Sequence, residues 1–392
     1  MKLFVVFVIM IMLFACQMDE VLPETIYSCN AYMVENPANY PQDASFKTMM
    51  SNLVASGVPG MQLSVRDSKS GLWSGAEGYS DLASNVKMKP CQITRVGSTV
   101  KTFTAVSILL LQEDGKLDIE EKITDYLTSD QIRGLKNAEK STIEQLMKHS
   151  SGIYNYIQSA QFQTASLNDL EKVWQPDELL EYAREQNAYF EPGTDVLYSN
   201  TNFILLGMII EKVTGKPFYE FFEDRIFDPL GMKSTRFAAE DPVPEGIVRG
   251  YVDFYSNFNL INSTYYSGWD YFTADGGLIS NAYDLNIFLH ALFNGQVLTG
   301  TSMDLMLDWQ QPDEPPAEGF ITAYGLGIFE IQTENGPAYI HSGDAIGYFA
   351  SMVHFPNQNV TITWTANGNY GKIDEYTQSK EAMETIFSQI LE

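Results

Sequence analysis

The chain has 392 residues, 45% of them hydrophobic and 13% aromatic, and a formal net charge of −26. That is apolar material enough for a large core, in one large domain or two intergrown lobes. So acidic a surface repels phosphate backbones, which argues against a nucleic-acid partner.

In chain order, a targeting segment comes first. Lys2 precedes an unbroken apolar run from Leu3 to Phe14. The run is shorter than the roughly 20 residues that cross a bilayer and suits the apolar region of a signal peptide. Leu13-Phe14-Ala15-Cys16 resembles a bacterial lipobox. Residues 1–15 are then a lipoprotein signal peptide, and Cys16 becomes the lipidated first residue of an exported protein anchored to the membrane at the cell envelope. Plain secretion, with Cys16 incidental, is the alternative. Residues 16–40 read as a tether and 41–392 as the folded unit. Cys29 and Cys91 can pair in an oxidising compartment, but their spacing does not decide whether they do.

Apolar periodicity predicts a helix over 46–55, then a hairpin of strands 61–65 and 72–79 across a turn at 67–71. A helix starts near Ser98 and continues through Phe103, Val106 and the run 108–111. Further helices are predicted over 143–147, 177–187, 203–213, 218–226, 282–293 and within 297–309. The last segment changes character: 324–332, 337–342, 348–355 and 360–366 read as strands, and 373–391 as one amphipathic helix. Strands at both ends with helices between them imply an α+β fold. Its antiparallel sheet is built from N- and C-terminal segments and flanked by helices, with an inserted, mostly helical lobe at about 123–295. A ligand cleft is expected between lobe and sheet.

Three short patterns carry the chemistry. In Ser98-Thr99-Val100-Lys101, positions i and i+3 share a helix face, so the hydroxyl and the amine can meet. A serine hydroxyl needs an adjacent base, and a desolvated lysine can serve. Ser84-Asn85-Val86-Lys87 has the same spacing, but no apolar helix follows it. Tyr198-Ser199-Asn200 sits between a tight turn and a strongly apolar helix, whereas Tyr255-Ser256-Asn257 lacks that helix. His341-Ser342-Gly343 falls on a late strand, where glycine permits close approach. His149 reads as a structural histidine bonding loop backbone. The histidines at 149, 290, 341 and 354 are scattered, and neither His-Glu-x-x-His nor a metal-type cysteine pair occurs. No metal or cofactor is expected.

The order Ser-x-x-Lys, Tyr-x-Asn, His-x-Gly resembles the penicillin-recognising serine hydrolases, and within them the class C β-lactamase and D-alanyl-D-alanine carboxypeptidase family. Lys148-His149-Ser150-Ser151-Gly152, Glu191-Pro192-Gly193, Asp228-Pro229-Leu230-Gly231-Met232 and Gly276-Gly277-Leu278-Ile279-Ser280 resemble it too. The resemblance implies a β-lactamase/transpeptidase-like fold and an acyl-enzyme on Ser98. Lys101 would accept the serine proton and Tyr198 would relay it. Asn200 would hold Lys101 and the substrate amide, and His341 and Gly343 would flank the cleft. The backbone N–H groups of Ser98 and Asp344 would form the oxyanion hole. Substrates would be a D-amino-acid peptide, a peptidoglycan fragment or a small ester. The alternative is a non-catalytic receptor that binds peptide or senses β-lactams in the same cleft. Two departures stand out. His341 replaces the lysine usual in dedicated class C β-lactamases. Asp344 brings an acid where a carboxylate-binding enzyme would be harmed by one, unless strand alternation turns it away.

Overall fold

The computed structural model describes residues 29, 36, 39–238, 241, 243–266, 273–314 and 320–391. The expected signal peptide, Cys16 and nearly all of the tether lie outside them. Five helices frame the site: α1 (Asp43–Ala55), α2 (Val100–Glu113), α3 (Asn200–Thr214), α4 (Ala282–Phe293) and α5 (Lys380–Leu391). From the N-terminal part come β1 (Gly60–Asp67), β2 (Gly71–Asp81) and β3 (Val86–Lys87). From the C-terminal part come β4 (Ile321–Tyr324), β5 (Phe329–Thr333), β6 (Gly336–Ala345), β7 (Tyr348–Phe355) and β8 (Val360–Ala366).

The eight strands form one antiparallel sheet in the order β3-β2-β1-β8-β7-β6-β5-β4. The two ends of the chain meet where β1 pairs with β8, Met61 opposite Ala366 and Arg66 opposite Thr361. Alternation along these strands sorts side chains between faces. Met61, Leu63, Val65, Ile362 and Trp364 join a core with Phe46 of α1 and Phe387 of α5. The opposite face turns Ser64, Thr361 and Thr363 toward α4. There Asn286 Nδ2 donates to the carbonyls of Ser64 and Thr361, at 3.2 and 3.0 Å, so the buried backbone is satisfied.

α2 is buried on every side from Val100 to Leu111, as a helix with so little polar surface must be. Phe103 stacks on Phe288 of α4 at 3.7 Å between ring centroids and meets Phe227 edge-on at 5.7 Å. Phe103→Ala will lower stability by about 3–5 kcal/mol through lost burial and a cavity, read as a shift of the urea or thermal midpoint.

Three expectations need correction. Residues 324–332 form not one strand but the end of β4, a Gly325-Leu326-Gly327 turn and β5. The turn is held under α2, where Thr102 Oγ1 donates to the Gly327 carbonyl at 2.8 Å. The helix expected over 177–187 is only Pro176–Glu181, because the stretch beyond it is polar and Glu185 takes a positive φ of 58°. The C-terminal helix is broken at Gln378, and Ser379 starts the second piece by accepting from the Ala382 N–H at 3.1 Å. Two small three-stranded sheets are also present: Leu278–Ser280 pairs with Thr94–Arg95 and with Arg236–Phe237, and Tyr251–Val252 pairs with Ile261–Asn262 and with Gly368–Asn369. Cys29 and Cys91 form a disulfide with their Cα atoms 5.4 Å apart.

Candidate active site

The site is built where α2 begins and β6 ends. β5 pairs only with Gly336 to Ile340 of β6, while β7 pairs with Tyr339 to Ala345. No described strand covers the other edge of β6 from His341 onward, and the turn carrying Ser98 abuts it. A Cβ on Gly343 would lie 2.6 Å from the Ser98 backbone nitrogen and collide with the Val96 carbonyl oxygen. A Cβ on Gly97, whose φ is +48°, would collide with the Asp344 carbonyl oxygen. Two glycines are thus needed for strand and turn to touch. Gly343→Ala will push them apart and lower kcat by about 10²–10³-fold, the usual effect of losing one oxyanion donor, with a retained circular-dichroism spectrum as the control.

Ser98 sits in a single 3₁₀ turn, Gly97–Thr99, that leads straight into α2. Lys101 follows on the same face, fully buried. Its Nζ donates to Ser98 Oγ at 2.8 Å and to the Asp275 carbonyl at 2.5 Å. The rings of Tyr198 and Phe203 stand 5.1 and 5.7 Å from it, centroid to nitrogen. Both rival motifs lie elsewhere: Ser84 sits in a surface turn and Lys87 on β3, where it covers the Tyr79 ring, and Tyr255 is exposed.

Two histidines, remote in sequence, flank Tyr198. The His149 ring is 4.5 Å from the Tyr198 ring and that of His341 6.4 Å. His149 accepts the Ser199 N–H on Nδ1 at 3.1 Å, as expected of a structural residue. Burial, and secondarily the Lys101 charge, hold its pKa well below the ordinary histidine value. His341 is fully buried. Burial first, then Lys101, lower its pKa to about 3. Its Nδ1 lies 2.8 Å from the Ser342 carbonyl. A carbonyl only accepts, so the proton is on Nδ1 and Nε2 presents a lone pair.

Asn200 opens α3, and its side-chain amide donates to Asn155 Oδ1 at 3.3 Å. Asn155 was not foreseen; it lies in the tyrosine-rich loop after His149, which gives no periodic signal. Asp275 was missed as well. Its carbonyl holds Lys101, and its fully buried carboxyl accepts from Tyr156 at 3.1 Å. Burial raises the pKa of that carboxyl, against the opposing Lys101 charge.

Ser98, Tyr198, Asn200, His341, Ser342, Gly343 and Asp344 all line one cleft of about 490 Å³. Apolar walls come from Ile157, Phe320, Ile321, Phe329, Phe349 and Met383. Asp344 lines this cleft, as does Gln378, a side-chain donor to its carboxylate. A separate cavity of about 270 Å³, between Pro176, Met208 and Phe218, includes none of these groups.

A family profile described as Beta-lactamase matches residues 46–382. The chain belongs to the β-lactamase family. Relatives of this β-lactamase-family serine hydrolase share its architecture. A D-stereospecific amidohydrolase from Streptomyces sp. is 29% identical, with a TM-score of 0.75 over 86% of this chain and 99% of that one. The D-amino acid amidase from Ochrobactrum anthropi SV3 complexed with L-phenylalanine amide is 26% identical, with a TM-score of 0.77 over 89% and 98%. A penicillin-binding protein of Bacillus subtilis (strain 168) is 28% identical over 324 residues, 80% of this chain and 69% of that protein. Protein flp of Staphylococcus aureus (strain MW2) is 26% identical over 300 residues, and the match spans only 56% of its length.

Proposed function

We propose that this protein is a serine amidase that works through an acyl-enzyme on Ser98. The observation that carries the reading is the 2.8 Å contact between Ser98 Oγ, which lines the cleft, and the Nζ of Lys101, fully buried behind it. Ser98 Oγ attacks the amide carbonyl, and its proton passes to the neutral Lys101 amine. The N–H groups of Ser98 and Asp344 hold the developing oxyanion. Tyr198, next to Lys101, returns the proton to the departing amine, and the C–N bond breaks. Water then attacks the ester by the same route in reverse, releasing the acid and restoring Ser98.

The cleft favours an acyl group with an apolar side chain. Two structural relatives are named for D-stereospecific amide hydrolysis, which supports a D-amino-acid amide as substrate. A free peptide carboxylate is disfavoured, because no lysine or arginine is among the described residues lining the cleft. A panel of D-phenylalanine amide, a nitrophenyl ester, a D-Ala-D-Ala peptide and nitrocefin tests this. The expected result is turnover of amide and ester with little cleavage of the carboxylate-bearing peptide. Preference for that peptide would overturn the amidase reading and restore the carboxypeptidase one.

Export with a lipid anchor at Cys16 belongs to the same proposal. The Cys29–Cys91 disulfide supports an oxidising compartment. Cys16→Ala is expected to move the protein from the membrane fraction to the soluble one.

A further inference from the structure

We infer that Asp344 anchors a free ammonium group of the substrate, so that the enzyme selects amides whose amine is unblocked. This rests on the amidase reading and names its substrate class.

The argument starts from position. Asp344 follows Gly343, the residue whose backbone touches the Ser98 turn, and lines the cleft with Ser98 and with Gln378, one of its side-chain donors. The carboxylate is fixed before any substrate arrives. Asn369 Nδ2 donates to Oδ1 at 3.1 Å. The Asn369 amide is itself locked, donating to the Ala345 and Tyr348 carbonyls at 2.9 and 3.1 Å and accepting the Gly347 N–H at 2.8 Å. Gln378 is the other side-chain donor to Asp344.

Both of these partners are neutral. None of the ion pairs among the described residues includes Asp344. The charged groups packed behind it are acids: Asp374, with Oδ1 buried and unbonded, and behind that Asp253. The nearby Lys372 points its ammonium at the Phe258 ring instead, 5.6 Å from the centroid. Asp344 is solvent-exposed, with Asn369 and Gln378 bonded to its carboxylate. Desolvation by the surrounding protein raises its pKa to about 6, Asn369 opposes the rise, and the Asp374 charge adds to it. Two acids without a counter-ion are out of balance until a cation binds, and a carboxylate-bearing substrate would add a third negative charge. An ammonium on the α-carbon lies two bonds from the carbonyl that Ser98 attacks, and a charge-assisted hydrogen bond to Asp344 would orient that carbonyl.

The test compares D-phenylalanine amide with its N-acetyl derivative in the full-length protein. Wild type is expected to favour the free amine by at least tenfold in kcat/KM. Asp344→Asn should lower that ratio by about 10–100-fold, mostly through KM, as for loss of a hydrogen bond to a charged group. Asp344→Glu should recover part of it. The sign of the pH effect follows from the charge needed: only the ionised carboxylate binds the cation. The free-amine preference should therefore fall as pH drops through about 6, where half of the carboxylate is protonated; in Asp344→Asn that decline should vanish. An equal or higher rate on the N-acetyl amide, or a ratio unmoved in Asp344→Asn, would overturn the inference. Calorimetric binding of the two amides to Ser98→Ala asks the same question without turnover. Tight binding of the free amine there, with no hydrolysis by wild type, would contradict the amidase reading while sustaining the anchor.

Discussion

Ser98→Ala will reduce amide and ester hydrolysis by on the order of 10⁵-fold while leaving the fold intact, as removal of the nucleophile does in serine hydrolases that act through a base. Among the described residues the side chain is bonded only to Lys101, and α2 is anchored by its apolar residues rather than by the turn that precedes it. Losing one hydroxyl at the cleft floor removes the bond-forming atom and little packing. The measurement is kcat/KM on a nitrophenyl ester and on D-phenylalanine amide, with thermal denaturation as the folding control. Residual activity within tenfold of wild type would mean that another group performs the attack.

Lys101→Met will slow acylation by about 10³–10⁴-fold, at the upper end of what a general base contributes. Methionine preserves an unbranched chain of similar length, so the path between Tyr198, Phe203 and the Asp275 carbonyl stays filled. The amine is lost, and with it the acceptor for the Ser98 proton. A buried polar amine also costs free energy to keep, which the methionine thioether does not. The variant is therefore expected to be at least as stable as wild type and nearly inactive. Single-turnover rates of Ser98 acylation give the first quantity and urea unfolding the second. A large loss of stability with unchanged acylation would make Lys101 a structural residue.

Much of this site was legible because its parts are local. Ser98 and Lys101 are one helical turn apart, and the apolar run behind them fixes the helix. Strands 348–355 and 360–366 and the helices 143–147 and 282–293 occur at the predicted bounds, since each is delimited by turn residues and a clear apolar face. What was not legible depends on contacts across the fold. The bond from Lys101 runs to the backbone of Asp275, 174 residues away, and a carbonyl leaves no mark in the sequence. Asn155 meets Asn200 only because the loop after His149 folds under α3. The pairing of His149 and His341 about Tyr198 joins loop, helix start and strand, which no spacing rule links. The direction of Asp344 hung on strand alternation, which could be stated from sequence but not assigned to a face. The broken C-terminal helix was missed because its apolar period survives the interruption at Gln378.

The central claim is that Lys101 arms Ser98 to form an acyl-enzyme. It is tested most directly by intact-protein and peptide mass spectrometry after brief exposure to a fluorophosphonate. The expected result is one adduct per chain, on the peptide containing Ser98, formed far more slowly in Lys101→Met and absent in Ser98→Ala. Folded wild-type protein that takes up no label, or takes it up equally in Ser98→Ala, would contradict the account and leave a binding cleft in place of a catalytic one.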